Sequence, residues 1–171
     1  MKKLGSKGVK VLKTCHLLFA MMWVVGVMAM AAINLIEAQS GDELYMSLLI
    51  SRFIDDVLVI PGAILTVITA IIYGTSTNWG FFKHRWITVK WIVSVAVIVV
   101  GTFYFSPKLD RCLDIADGLR EAAFTNSEYR DNSQISLYGA FIQAAILVLL
   151  VVISVFKPWK KKKQIPDNSN K

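Results

Sequence analysis

Four long runs of apolar residues are separated by short polar or charged segments along the chain. The runs cover about residues 11–36, 44–73, 86–105 and 137–156. A helix needs about 20 mostly apolar residues to cross the hydrocarbon core of a bilayer, so each run is long enough. The runs are continuous, whereas a barrel strand alternates apolar and polar residues over about ten positions. The pattern therefore predicts an all-α, polytopic membrane protein, with residues 1–171 forming a single four-transmembrane-helix bundle.

Composition agrees with a membrane location. Hydrophobic residues make up 55% of the chain and charged residues 18%, with a mean hydropathy of +0.53. These values exclude an ordinary water-soluble domain, and they are the opposite of what a disordered chain has. The formal net charge is +7, but the basic residues lie at the ends of the apolar runs. They therefore indicate contact with membrane lipid, and we assign no nucleic-acid partner.

The distribution of Lys and Arg predicts the orientation. Thirteen of these residues lie in the N-terminal tail, in the loop between the second and third runs, and in the basic tail at 157–171, which contains Lys160 to Lys163. The first loop holds only acidic charges, and residues 106–136 hold four basic against six acidic residues. Because short basic loops stay on the cytoplasmic side, we expect a cell (inner) membrane protein with both termini cytoplasmic. The first run is longer than a signal-peptide core, so we expect it to be kept.

The external segment 106–136 is expected to be partly helical. Apolar residues recur there at helical spacing, which predicts an amphipathic surface helix from about Leu109 to Phe124. Ser133 is a candidate N-cap for the fourth span. Cys112 lies in this segment and Cys15 near the cytoplasmic end of the first span, so the two cannot form a disulfide within one chain. We therefore expect Cys112 to react with thiol reagents added from outside and Cys15 to be spared.

Charged residues stand at the external end of the second run. Arg52 precedes Asp55 and Asp56 by three and four positions, which places all three on one helix face and predicts an ion pair within the helix. Two interpretations stay open. One is a polar site that admits a cation or polar substrate, with Asp55 or Asp56 as proton carriers; the other is a solvated, salt-bridged helix end. Pro61 is expected to kink the helix just beyond the group.

A second polar group is predicted near the cytoplasmic side. His16 lies about a turn inside the first span and Lys90 about a turn inside the third, so the two should lie at similar depth, where they could face each other. A neutral imidazole is a good iron ligand, and a lysine can hold a carboxylate. Alternatively, Lys90 extends to the interface and His16 bonds a backbone carbonyl. His84, in the adjoining loop, is the only other histidine that could be a second axial ligand.

Three segments carry a resemblance to known membrane proteins: KTCHLLFAMMWVVGVMAM in the first span, IPGAILTVITAIIYG in the second and HRWITVKWIVSVAVI in the third. They resemble a family of uncharacterised predicted four-helix integral membrane proteins. That family is distantly similar to the copper-resistance D-type membrane domain and to the haem-b-containing bacterial protoporphyrinogen IX oxidase. The resemblance covers about residues 10–105, and His16, Trp23, Gly26 and Lys90 match the positions that mark the oxidase.

The resemblance implies a b-type haem as cofactor. In that case His16 is the cofactor-binding and metal-ligating residue, Lys90 is the catalytic position that holds a propionate or anionic substrate, and the substrate is a porphyrin or another hydrophobic molecule. Arg52, Asp55 and Asp56 have no counterpart in the oxidase. The alternative is therefore a non-enzymatic accessory subunit or small transporter that works through this polar cluster. Four spans are few for a transporter monomer, so we expect a homo-oligomer.

Overall fold

The computed structural model describes residues 4–77 and 85–157, and those ranges contain helices and no strand. The predicted roles of His84 and of Lys160 to Lys163 concern residues outside these ranges. In chain order the elements are α1 (Ser6–Ile33), α2 (Gly41–Ile54), a first π-helical segment (Asp55–Val59), α3 (Ile60–Ser76), α4 (Arg85–Val100), a second π-helical segment (Gly101–Phe105), α5 (Ser106–Leu119), a 3-10 turn (Arg120–Thr125) and α6 (Ser127–Phe156). The predicted all-α class is confirmed.

Four helical stretches within the described residues are long and apolar enough to cross a membrane, and they are residues 6–33, 41–76, 85–125 and 127–156. Large apolar side chains cover their outer faces; Phe103, Val155 and Phe156 are 77%, 69% and 77% exposed. A continuous apolar exterior of this kind is stable against lipid and unfavourable in water. The chain is therefore a multi-pass membrane protein.

The buried side chains form two separate cores. The first, which we call the membrane core, joins α1, α3, α4 and α6. It consists of Trp23, Val27, Ala63, Val97, Leu147 and Leu150. The second, which we call the cap core, joins α2, α5, the 3-10 turn and the start of α6. It consists of Leu44, Leu48, Leu109, Cys112, Ile115, Ala116, Ala123 and Tyr129.

Helix α1 packs closely against α3 and against the end of the first π-helical segment in the membrane core. A Cβ atom placed on Gly62 would lie 2.7 Å from the backbone nitrogen of Trp23, and one placed on Gly26 would lie 2.8 Å from Cγ2 of Val59. Small residues at such contacts let two helix backbones approach closely in a membrane. This contact fixes the position of Trp23, whose side chain is 4% exposed.

The segment of residues 106–136 is more regular in structure than the sequence predicts. Helix α6 begins at Ser127, where the side chain of Asn126 accepts a hydrogen bond from the Tyr129 amide at 2.9 Å, so the prediction that Ser133 begins this helix was wrong. Cys112 is 1% exposed, because α5 packs inward on α2 and α6. Alkylation of Cys112 therefore does not report the side of the membrane, contrary to our expectation.

Two prolines explain the two π-helical segments. Pro61 and Pro107 each lie two residues beyond the end of a π-helical segment. Proline has no amide hydrogen, and its ring crowds the carbonyl four residues earlier, which is that of Val57 or Phe103. The helix accommodates this with one wider turn, a feature that is frequent at functional sites. The helix therefore contains a π-helical segment just before Pro61, where the sequence predicts a kink.

Candidate functional site

A cavity of about 270 Å³ lies between the membrane core and the cap core. All six α-helices and both π-helical segments contribute to its wall. Most of the lining is apolar, including Trp23 and Phe105, and the polar lining includes Ser136 and Gln143. We call it the central cavity. It lies where residues from both π-helical segments meet, because the wider turns move those backbones away from close packing.

Asp55 opens the first π-helical segment and is part of the cavity wall. Asp55 is 8% exposed, and its Oδ2 atom accepts a hydrogen bond from Nη1 of Arg52 at 3.2 Å. Among the described residues that line the cavity, Asp55 alone carries a charge. A buried carboxylate in a membrane protein is costly unless it is paired, and here Arg52 supplies the pairing.

Arg52 is shared among three carboxylates. Besides Asp55, its Nη2 lies 3.4 Å from Asp56 and its Nε lies 3.2 Å from Asp110 of α5. Its Nη1 also donates to the Ser106 hydroxyl at 3.0 Å. The predicted ion pair within the helix is therefore present. One positive group faces three negative groups, so the cluster carries an excess of negative charge when all are ionised.

The pairing of Arg52 with α5 could not be found from the sequence. Helical spacing identified Asp55 and Asp56, since three and four residues are the distances between neighbours on a helix. Asp110 and Ser106 are more than fifty residues away along the chain, and only the packing of α5 on α2 brings them to Arg52. Gln143 is a strongly polar residue in the fourth apolar run, and it lines the cavity.

His16 and Lys90 each lie beside a hydroxyl group of another helix. Nδ1 of His16 lies 3.0 Å from Oγ1 of Thr69 on α3, and Nζ of Lys90 donates to Oγ of Ser154 on α6 at 2.5 Å. Lys90 is close enough to His16 to act on it electrostatically. The four side chains come from α1, α3, α4 and α6. The Lys90 ammonium is held within the bundle.

The hydrogen bonds of Thr69 assign the histidine tautomer. The Thr69 hydroxyl is 2.7 Å from the carbonyl of Leu65 and 3.0 Å from that of Thr66, and its single proton is directed to them. With that proton directed to a carbonyl, the oxygen accepts from His16, which favours the neutral ring that carries its proton on Nδ1. The lone pair is on Nε2, the atom that a metal would bind.

One histidine fits only part of a haem site. The central cavity is lined by neither His16 nor Lys90. Within residues 4–77 and 85–157, no group of three or more His, Cys, Asp or Glu side chains is placed to hold a metal ion. His84, the other candidate axial ligand, lies outside the described residues. Haem b therefore stays a prediction that rests on the resemblance.

Comparisons of the chain with protein-family models, with curated proteins and with solved structures give no match.

Proposed function

We propose that this protein binds a small ligand in the central cavity and acts as a small transporter or as an accessory subunit of a membrane assembly, with Asp55 as the ligand-contacting residue. One observation carries the proposal: a buried carboxylate stands in the wall of a cavity of about 270 Å³. Protein interiors contain few voids larger than a water molecule, and a carboxylate is costly within a bundle. A binding site accounts for both features, whereas a purely structural bundle requires neither.

Ligand binding can be followed through Trp23, which lines the cavity. In protein with ¹⁵N-labelled tryptophan, the Trp23 indole signal is assigned as the one missing from Trp23→Phe. We expect the neutral probe 2-phenylethanol to shift this signal in a saturable manner. Ala140→Leu places a larger side chain in the cavity and should abolish the shift. Ala145→Leu adds the same volume to an exposed face of α6 and should preserve it.

Two outcomes would contradict the proposal. In the first, 2-phenylethanol leaves the Trp23 signal unchanged. In the second, Ala140→Leu and Ala145→Leu respond identically to the probe, which would show that the probe partitions into the surrounding detergent or lipid. Both leucine variants are first compared with wild type by far-ultraviolet circular dichroism, so that loss of folding is not mistaken for loss of binding.

The proposed orientation puts both termini in the cytoplasm of a cell with an inner membrane. The support is the basic charge of the terminal tails and of the loop that ends at Arg85. Because Cys112 is buried, the test uses single cysteines in a chain with Cys15→Ser and Cys112→Ala. Asp131→Cys, on the exposed surface of α6, should react with an impermeant maleimide in intact cells. Lys7→Cys should react only after permeabilisation; the reverse pattern would contradict this orientation.

A homo-oligomer is part of the same proposal, since four spans enclose little space for a transport path. Light scattering of the detergent-purified protein measures the mass of the complex and should give a multiple of the 19.1 kDa chain. A monomer that still binds 2-phenylethanol would favour an accessory subunit over a transporter.

A b-type haem protein is the second candidate, favoured by the placement of His16 beside Lys90. A haem supplies one-electron redox chemistry when bound. In this chain His16 would hold it through Nε2, while Thr69 keeps the ring in the required tautomer. Lys90 would hold a propionate or an anionic porphyrin substrate, since its ammonium is already inside the bundle.

The haem proposal is tested by the absorption spectrum of the purified protein, oxidised and then reduced with dithionite. A Soret band that shifts on reduction and is lost in His16→Ala would support it. His84→Ala distinguishes a haem held by one histidine from a haem held by two. Loss of a second histidine ligand would change the spectrum without removing the haem. A featureless spectrum from folded protein that was expressed with added haem would refute it.

A further inference from the structure

We propose that the ligand of the central cavity is a small hydrophobic monocation of the alkylammonium class. This inference rests on the proposed function, since it names the chemistry of the molecule that the cavity binds. It follows from three properties of the site: the sign of its charge, the composition of its wall and its volume.

The charge at the site favours a cation. Asp55 is the charged group of the cavity wall, and no Lys or Arg is among the described lining residues. Arg52 pairs with Asp55, but Asp56 and Asp110 divide its charge. One positive group against three negative groups leaves a formal excess of two negative charges. Lys108, on the same helix as Asp110, donates to Asn132 at 3.1 Å. An anion would therefore enter against the local field, whereas a cation would be attracted.

The cavity wall favours an organic cation over a metal ion. A calcium ion takes 6–8 oxygen ligands and magnesium requires an octahedral set, often with several carboxylates. This wall offers one carboxylate, a few neutral oxygens and a large apolar area that includes Trp23 and Phe105. Aromatic rings attract alkylammonium groups through their negative faces, and the effect is larger away from water. The same wall can therefore contact both the charged and the apolar part of one molecule.

The volume limits the size of the ligand. A protein cavity of about 150 Å³ takes up benzene. In the same proportion, the central cavity, at about 270 Å³, has room for about ten to twelve non-hydrogen atoms. Benzyltrimethylammonium is of this size and combines an aromatic ring with a permanent positive charge. Neopentylbenzene has the same shape without the charge, and 3-phenylpropanoate has the same number of non-hydrogen atoms and a negative charge.

The experiment measures the binding of these three probes through the Trp23 indole signal. In wild type we expect benzyltrimethylammonium to bind more tightly than neopentylbenzene, and 3-phenylpropanoate to bind most weakly. Asp55→Asn keeps the shape of the side chain and removes its charge, so it should weaken the cation at least about tenfold and leave the neutral probe unchanged. Asp55→Glu restores the charge and should restore the preference.

Asp56→Asn is the matched control. It removes one carboxylate that contacts Arg52, but Asp56 does not line the cavity and its side chain is 50% exposed. We therefore expect Asp56→Asn to keep most of the preference for the cation. If Asp56→Asn weakens the cation as much as Asp55→Asn does, the cation is bound at the surface cluster and the inference is overturned.

Failure of the ligand class and failure of the proposed function give different results. Equal binding of cation and neutral probe, unaffected by Asp55→Asn, would overturn the ligand class and leave the cavity as a binding site. Tightest binding of 3-phenylpropanoate would do the same. No response to any of the three probes, with Ala140→Leu indistinguishable from Ala145→Leu, would overturn both proposals.

Discussion

The contact between Gly62 and Trp23 makes a quantitative prediction about how the central cavity is built. Gly62 lies at the closest approach of α1 and α3, and Trp23 forms part of both the membrane core and the cavity wall. In Gly62→Ala the new methyl group would lie 2.7 Å from the Trp23 nitrogen and 3.0 Å from its Cα atom. Both are backbone atoms, so a side-chain rotation cannot relieve the clash and the two helices must separate.

The magnitude follows from two opposing effects. Inserting a methyl group into a packed interface costs about 1–3 kcal/mol. Replacing glycine by alanine inside a helix contributes about 1 kcal/mol in the favourable direction. Gly118 provides the control, because a Cβ atom there meets nothing within 4 Å and the residue is also helical. The helical preference is the same in both variants, so Gly62→Ala should be less stable than Gly118→Ala by about 1–3 kcal/mol.

The assay is equilibrium unfolding in mixed micelles with an increasing fraction of sodium dodecyl sulfate, followed by far-ultraviolet circular dichroism. We expect Gly118→Ala to unfold at the same or a higher fraction of the denaturing detergent than wild type, and Gly62→Ala at a lower one. The Trp23 indole signal should also move in Gly62→Ala and stay in place in Gly118→Ala. If the two variants are equally stable, the close approach of α1 and α3 does not hold Trp23 in position and the reasoning is refuted.

Four further predictions concern the cap core and its surface. Burial raises the pKa of the Cys112 thiol to about 11, two units above its ordinary value of 9.0. Near pH 8 this thiol should therefore react with iodoacetamide at least about 100-fold more slowly than a free thiol. A fast reaction would contradict the burial of Cys112. Since the folded protein keeps a proton that the unfolded chain releases, the Cys112 contribution to stability should fall as the pH rises from about 9 to 11, and Cys112→Ala should lack this decline. Ser40→Ala removes the side-chain oxygen that accepts a hydrogen bond from the Glu43 amide at 3.2 Å. The free energy of unfolding measured in the detergent titration should therefore fall by about 1 kcal/mol. An unchanged midpoint would show that other contacts hold the start of α2. Arg111→Ala breaks an exposed ion pair with Glu128 at 2.8 Å and should leave the midpoint unchanged; a clear shift would mean that this pair supports the cap core.

The spans could be predicted from sequence because hydropathy is a property of each segment alone. The predicted runs of about 11–36, 44–73, 86–105 and 137–156 overlap the four helical stretches at 6–33, 41–76, 85–125 and 127–156. Their ends differ because helices continue past the apolar part into charged segments, where hydropathy no longer reports structure. The end of the third run at residue 105 illustrates this, since the chain continues as a helix into α5.

The candidate sites could be predicted only where the helix repeat determines the neighbours. Arg52 and Asp56 are four residues apart, and His16 and Lys90 lie at a depth that can be counted from the helix rise. The cavity was not predictable, because its volume depends on how α5 packs on α2 and on two wider turns. Ser133 illustrates the same limit. Serine is a residue type that often begins a helix, but here the side chain of Asn126 caps the start of α6.

The continuity of α4, the second π-helical segment and α5 has a consequence for how the length of this chain can vary. From Arg85 to Leu119 the backbone is helical throughout, which at 1.5 Å per residue makes a rod of about 50 Å against a hydrocarbon core of about 30 Å. Each inserted or deleted residue turns everything beyond it by about 100° and would swing Asp110 away from Arg52. An insertion of about seven residues, two full turns, would restore the rotation but would move Asp110 about 10 Å along the helix axis. Any change of length between Phe105 and Asp110 should therefore break the contact of Asp110 with Arg52, whose Nε lies 3.2 Å from the carboxylate.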